Sequence, residues 1–139
     1  MSQRALKCTS WVHFLLPLLF TSTLPMDVAA QSSPQAQLDR FSLEAGRPGN
    51  PEGGQLFFSK KHGADWSCAS CHGDLPIRSS RHASTGKMLD PLAPAFNPKS
   101  LTDSAKVDKW FKRNCKDVLA RECNAGEKAD VLAWLILLK

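Results

Sequence analysis

The chain has 139 residues, with 18 Lys and Arg against 13 Asp and Glu for a formal net charge of +5, and its length is that of one small domain. The moderately basic balance suits solubility or the steering of an acidic partner. No nucleic-acid motif accompanies it, and the absence of tyrosine gives no base-stacking array.

Taken from the amino end, Arg4 and Lys7 precede an apolar run from Trp11 to Phe20, and Val28-Ala29-Ala30 supplies small residues. This is the layout of a secretory signal peptide, residues 1–30, cleaved to leave Gln31 first and to deliver the protein to the periplasm. The run is too short to span a bilayer and is broken by His13 and Pro17, which argues against a retained anchor. Residues 31–49 are polar and contain Pro34, Gly46 and Pro48; they read as a flexible leader with at most a short helical turn. The main domain is expected over 50–139.

Asn50-Pro51-Glu52 marks a helix start, with Asn50 as N-cap and Pro51 at the first helical position, and this helix is expected to reach about Lys61. Next comes Cys68-Ala69-Ser70-Cys71-His72, a C-x-x-C-H motif that attaches a c-type haem. Two thiols one helical turn apart can add to the two vinyl groups of one porphyrin, and His72 then reaches the iron from below. A zinc knuckle would need a second ligand pair, and a thioredoxin-like redox pair a βαβ setting; neither is present in the sequence.

From His72 to Pro98 four prolines and Gly86 predict little regular structure, a long segment rationalised by a cofactor around which it wraps. Thr102 or Asp103 caps a further helix, with Val107, Trp110 and Phe111 on its apolar face, ending near Asn114. Asn124-Ala125-Gly126-Glu127 has capping-box spacing and opens a last helix that buries Val131, Leu132, Trp134, Leu135 and Leu138. Its apolar stretch is too short to be a membrane anchor. Once Cys8 leaves with the signal peptide and Cys68 and Cys71 hold the haem, Cys115 and Cys123 remain. In an oxidising compartment they are expected to close a small disulfide loop, two free buried thiols being the alternative.

Gly53-Gly54-Gln55-Leu56-Phe57 and Ala133-Trp134-Leu135 resemble the terminal-helix signatures of class I cytochromes c. The resemblance implies an all-α fold of three to four helices around one covalently bound haem c. Its first and last helices would cross, with Gly53 and Trp134 as the crossing pair. A narrower resemblance runs from Gly53 to Leu138. Thr85-Gly86-Lys87, Pro91-Leu92-Ala93-Pro94, Lys109-Trp110-Phe111, Arg113-Asn114-Cys115, Arg121-Glu122-Cys123 and Asp130-Val131-Leu132-Ala133-Trp134-Leu135 are similar to the sphaeroides haem protein group, oxygen-binding high-spin cytochromes c. This implies Asn114 as sixth ligand opposite His72 in the oxidised state, a Cys115–Cys123 disulfide beside it, and redox partners of the dihaem cytochrome c and membrane cytochrome b kinds.

Read alone, Asn114 is a plain helix C-cap, so the competing ligands have to be weighed. Ordinary cytochromes c use methionine, whose soft sulfur favours Fe(II) and blocks small ligands. Met88 is the only methionine past the signal peptide, and it follows His72 too closely to reach the opposite haem face easily. A Met88-ligated, low-spin electron carrier is the alternative reading. His62 precedes the attachment site and His82 follows it closely, so both read as surface or propionate-side imidazoles. With Asn114 as ligand, the expected protein is a periplasmic electron carrier whose weak sixth ligand leaves on reduction and admits O2, NO or CO. No acid–base constellation points to an enzyme, and a monomer is expected.

Overall fold

The structure, a computed structural model, describes residues 32–63 and 65–139; the expected signal peptide lies outside them. Five helices account for most of it: α1 Pro34–Ala45, α2 Pro51–Ser59, α3 Cys68–His72, α4 Ser104–Leu119 and α5 Ala125–Leu137. The long loop between α3 and α4 holds only a two-rung antiparallel hairpin, β1 Ser80–Arg81 with β2 Met88–Leu89, in which Ser80 faces Leu89. Among the described residues no helix is long and apolar enough to cross a membrane.

The first helix corrects the expectation of a flexible leader. Ser33 caps it by accepting from the Ala36 N–H, Pro34 opens it, and Gly46 closes it in the left-handed conformation at φ 67°. Proline and glycine, taken as loop punctuation, are here the two ends of one helix. Phe41 is 1% exposed and meets Phe111 edge-on at 5.8 Å. Buried Gln37 donates to Ser32 and Ser104 and accepts from Arg40, which also pairs with Asp108 at 2.8 Å. This network ties α1 to the start of α4.

The crossing of α2 and α5 is also one residue removed from its expected place. A Cβ on Gly53 would meet only the Asn50 side chain, at 3.4 Å. On Gly54 it would lie 2.9 Å from the Val131 nitrogen and deeper still inside the Asp130 carbonyl. Gly54 against Asp130 and Val131 is therefore the contact that demands glycine. Trp134 lies farther along, packed on Phe58 at 4.9 Å between ring centroids. Arg47 fastens the same corner through a two-pronged pair with Asp130, which also accepts from the Asn50 N–H.

Two buried clusters result. Phe41, Val107, Ala129 and Leu132 form one; Phe58, Val131, Trp134 and Leu135 form the other. Leu101 and Phe111 pack against both. Leu101 does so from a left-handed backbone at φ 62°, a strained setting for a branched side chain. The Asn124–Glu127 capping box is present as expected, and Asp103 rather than Thr102 caps α4.

Candidate haem site

Ser67 and Ser70 cap α3 reciprocally, so the short helix starts at Cys68 and holds the C-x-x-C-H residues in one helical turn. Cys68 and Cys71 are unpaired. Burial pushes the Cys68 thiol up to about 11, so the free side chain is protonated at neutral pH. The Cys71 sulfur accepts from the Ala83 N–H at 3.4 Å, which holds the loop after α3 close to it.

His72 ends this helix. Burial, helped by the like charge of His82, holds its imidazole below the ordinary histidine value and therefore neutral near pH 7. Its Nδ1 is buried and has no hydrogen-bond partner. A neutral ring nitrogen kept out of water without a partner suits a metal ligand. Among the described residues no three His, Cys, Asp or Glu side chains gather to hold a bare metal ion. The donor set fits haem c instead: two free thiols a turn apart, a neutral imidazole next to them, and an apolar opening in front.

That opening is a cleft lined by Phe57, Phe58, Cys68, His72, Leu92, Phe111, Asn114, Cys115, Cys123 and Val131. Its walls are mostly apolar, with Phe58 6.2 Å from the His72 ring. Asn114 is half-buried and is the one amide side chain on the lining. Because α4 continues to Leu119, and Ala120 takes the left-handed closing position at φ 58°, Asn114 lies inside the helix and is not its C-cap. Phe111, Asn114, Cys115 and Val118 recur at helical spacing, which turns Asn114 toward the cleft side of α4. Directly after it, Cys115 is bonded to Cys123 at 2.01 Å, closing the expected loop and joining α4 to the approach to α5.

The other ligand candidates are elsewhere. Met88 is in β2, 54% exposed and off the cleft. His62 bonds the Phe57 carbonyl at 2.8 Å and faces a separate cavity with Lys60, Lys61 and Arg121. His82 contacts Ser84. Several lining residues escaped sequence reasoning. Phe58, 1% exposed, is the buried residue of α2 while its neighbour Leu56 is 72% exposed, and Leu92 comes from a loop with no periodic signal at all. Trp110, expected on the buried face, is 49% exposed.

Residues 44–135 match a family described as a domain of unknown function, DUF1924. The chain is similar to the cytochrome c-type protein SHP of Cereibacter sphaeroides, 43% identical over 112 residues that cover 78% of this chain and 86% of SHP. The solved structure of oxidised SHP, an oxygen-binding cytochrome c, superposes with a TM-score of 0.71 at 41% identity, covering 76% of this chain and 96% of that one. The solution structure of cytochrome c'' from Methylophilus methylotrophus, solved for insight into haem-ligand detachment, superposes with a TM-score of 0.67 at 30% identity, covering 75% of this chain and 92% of its own.

Proposed function

The chain belongs to the DUF1924 family and to the SHP-like c-type cytochromes, and from that premise we propose that it is a periplasmic, monohaem electron-transfer protein with an exchangeable sixth ligand. One haem c, held by thioethers to Cys68 and Cys71, would supply a one-electron couple and an open coordination position for a diatomic gas. His72, buried and neutral, is the proximal ligand in this reading. Asn114 is the distal one. The observation that carries the proposal is that the cleft is lined by His72 and Asn114 and not by Met88.

A neutral amide oxygen is a hard, weak donor, acceptable to ferric iron and poor for ferrous. With haem c bound, Asn114 would hold the ferric iron and be a poor partner for the ferrous one, and the chemistry supplied there would be reversible binding of O2, NO or CO. That SHP is an oxygen-binding cytochrome and that cytochrome c'' undergoes haem-ligand detachment supports this reading. The Cys115–Cys123 bond immediately beyond Asn114 limits how far the amide travels, so it governs the fraction of open state and with it the apparent affinity. Phe57, Phe58, Leu92, Phe111 and Val131 keep bulk water from the cleft. The protein acts by binding and electron exchange and not as an enzyme, with redox proteins as partners.

Asn114→Ala and Met88→Ala separate this function from a methionine-ligated carrier. Optical spectra of the ferric Asn114→Ala holoprotein should show water or added azide in the sixth position, while CO binding to the ferrous form stays near the parent's. Met88→Ala should change neither. A Met88 variant that turns high-spin beside an Asn114 variant that keeps the parental spectrum refutes the proposal.

A further inference from the structure

The outer face of α4 is unusual for a helix whose inner face lines the cofactor cleft. Trp110 stands half-exposed one turn before Asn114 and is not part of the cleft lining. Its ring is flanked by the Arg113 guanidinium at 5.6 Å and the Lys109 ammonium at 5.9 Å. Neither cation enters a salt bridge among the described residues, whereas Lys106 pairs with Asp103, and Lys112 and Lys116 share Glu122. Of the two acids on the helix, Asp108 is engaged by Arg40, which leaves Asp117 against this positive field. An exposed indole between uncompensated cations is the composition that carries energy at protein interfaces, where Trp and Arg anchor and charge orients.

We propose that Trp110, Lys109 and Arg113 form the docking surface for an acidic electron-exchange protein. Charge complementarity selects the partner's sign, and the indole supplies the apolar anchor around which carboxylates meet Lys109 and Arg113. The placement rests on the proposed electron-transfer function, because it brings the partner within one helical turn of the residue that senses the iron's oxidation state. Docking there meets the helix that Asn114 must move on or with.

The test is the second-order rate at which a reduced, acidic flavodoxin reduces the ferric holoprotein, measured by rapid mixing across ionic strength. Lys109→Gln/Arg113→Gln should slow reduction about tenfold at low salt and flatten the salt dependence. Trp110→Ala should slow it while keeping the parental salt slope. Lys60→Gln/Lys61→Gln, an equal charge change beside Leu119 at the far end of α4 from Trp110, should stay within about twofold of the parent. Equal losses in both double variants would reduce the effect to net charge and overturn the proposal. So would retention of the rate in Lys109→Gln/Arg113→Gln, or its conversion into lost binding to phosphatidylglycerol vesicles, which would reassign the face to a membrane surface. All variants keep the cleft intact, so parental optical spectra separate a failure of docking from a failure of the haem-site reading.

Discussion

Gly54→Ala tests the frame on which the cleft is built. The added methyl would lie 2.9 Å from the Val131 nitrogen and closer to the Asp130 carbonyl, both backbone atoms that cannot turn aside. Helices α2 and α5 would have to part by more than about 1 Å, loosening the Phe58–Trp134 contact and the Phe57, Phe58 and Val131 walls of the cleft. Overpacking of this kind costs about 3 kcal/mol, which for a domain of this size lowers the melting temperature by roughly 15 °C. Thermal unfolding of the holoprotein, followed by far-ultraviolet circular dichroism and by the Soret band together, reads both the fold and the cofactor. Gly53→Ala is the internal control. Its methyl meets only the Asn50 side chain at 3.4 Å, so the helix-propensity gain of up to about 1 kcal/mol should leave it as stable as the parent or slightly more. Equal destabilisation by the two substitutions would refute the placement of the crossing at Gly54.

Cys68→Ala or Cys71→Ala should each shift the reduced pyridine haemochrome band, because one vinyl group stays conjugated; unshifted bands in both would exclude thioether attachment. The mature holoprotein should show no titratable thiol when denatured without reductant. Replacing Cys115 and Cys123 by serine should cost about 2.5 kcal/mol from loop entropy in urea unfolding, and should raise azide affinity in the ferric state as Asn114 loosens. The Arg47 guanidinium holds the Asp130 carboxyl below its ordinary value, so this pair contributes stability above the unfolded-state value and loses it as pH falls through the lower, folded one. Melting temperatures of the parent and Asp130→Asn should therefore differ near pH 7 and converge in acid, once the pH falls below the depressed Asp130 value; a gap that persists there would mean packing, not charge, is responsible.

Local signals in the sequence were accurate wherever the chain itself makes the interaction. Asn50, Asp103 and the Asn124–Glu127 box mark helix starts because each cap bonds an N–H only three residues away. The disulfide followed from counting cysteines against compartment. What depends on distant partners was harder to see. Residues 34–45 have a weak apolar stripe, and their stability as α1 comes from Phe41 and Gln37 meeting α4 and α5, elements roughly seventy and ninety residues away in sequence. The extra turn of α4 past Asn114 is held by Val118 packing and the Cys115–Cys123 bond, neither visible as periodicity around Asn114. Trp110 misled because hydrophobic spacing does not tell a buried ring from one left outside between two cations.

The two buried clusters divide the molecule by dependence on its cofactor. Phe58 and Val131 of the second cluster are cleft walls, but none of Phe41, Val107, Ala129 and Leu132 touches the cleft. The first cluster joins α1, α4 and α5, and it meets the cleft through one ring: Phe111 lies edge-on against Phe41 and is itself a cleft wall. A change at Phe41 in α1 is therefore relayed to the opening beside Asn114 across a single aromatic contact, without α1 lining that opening at all.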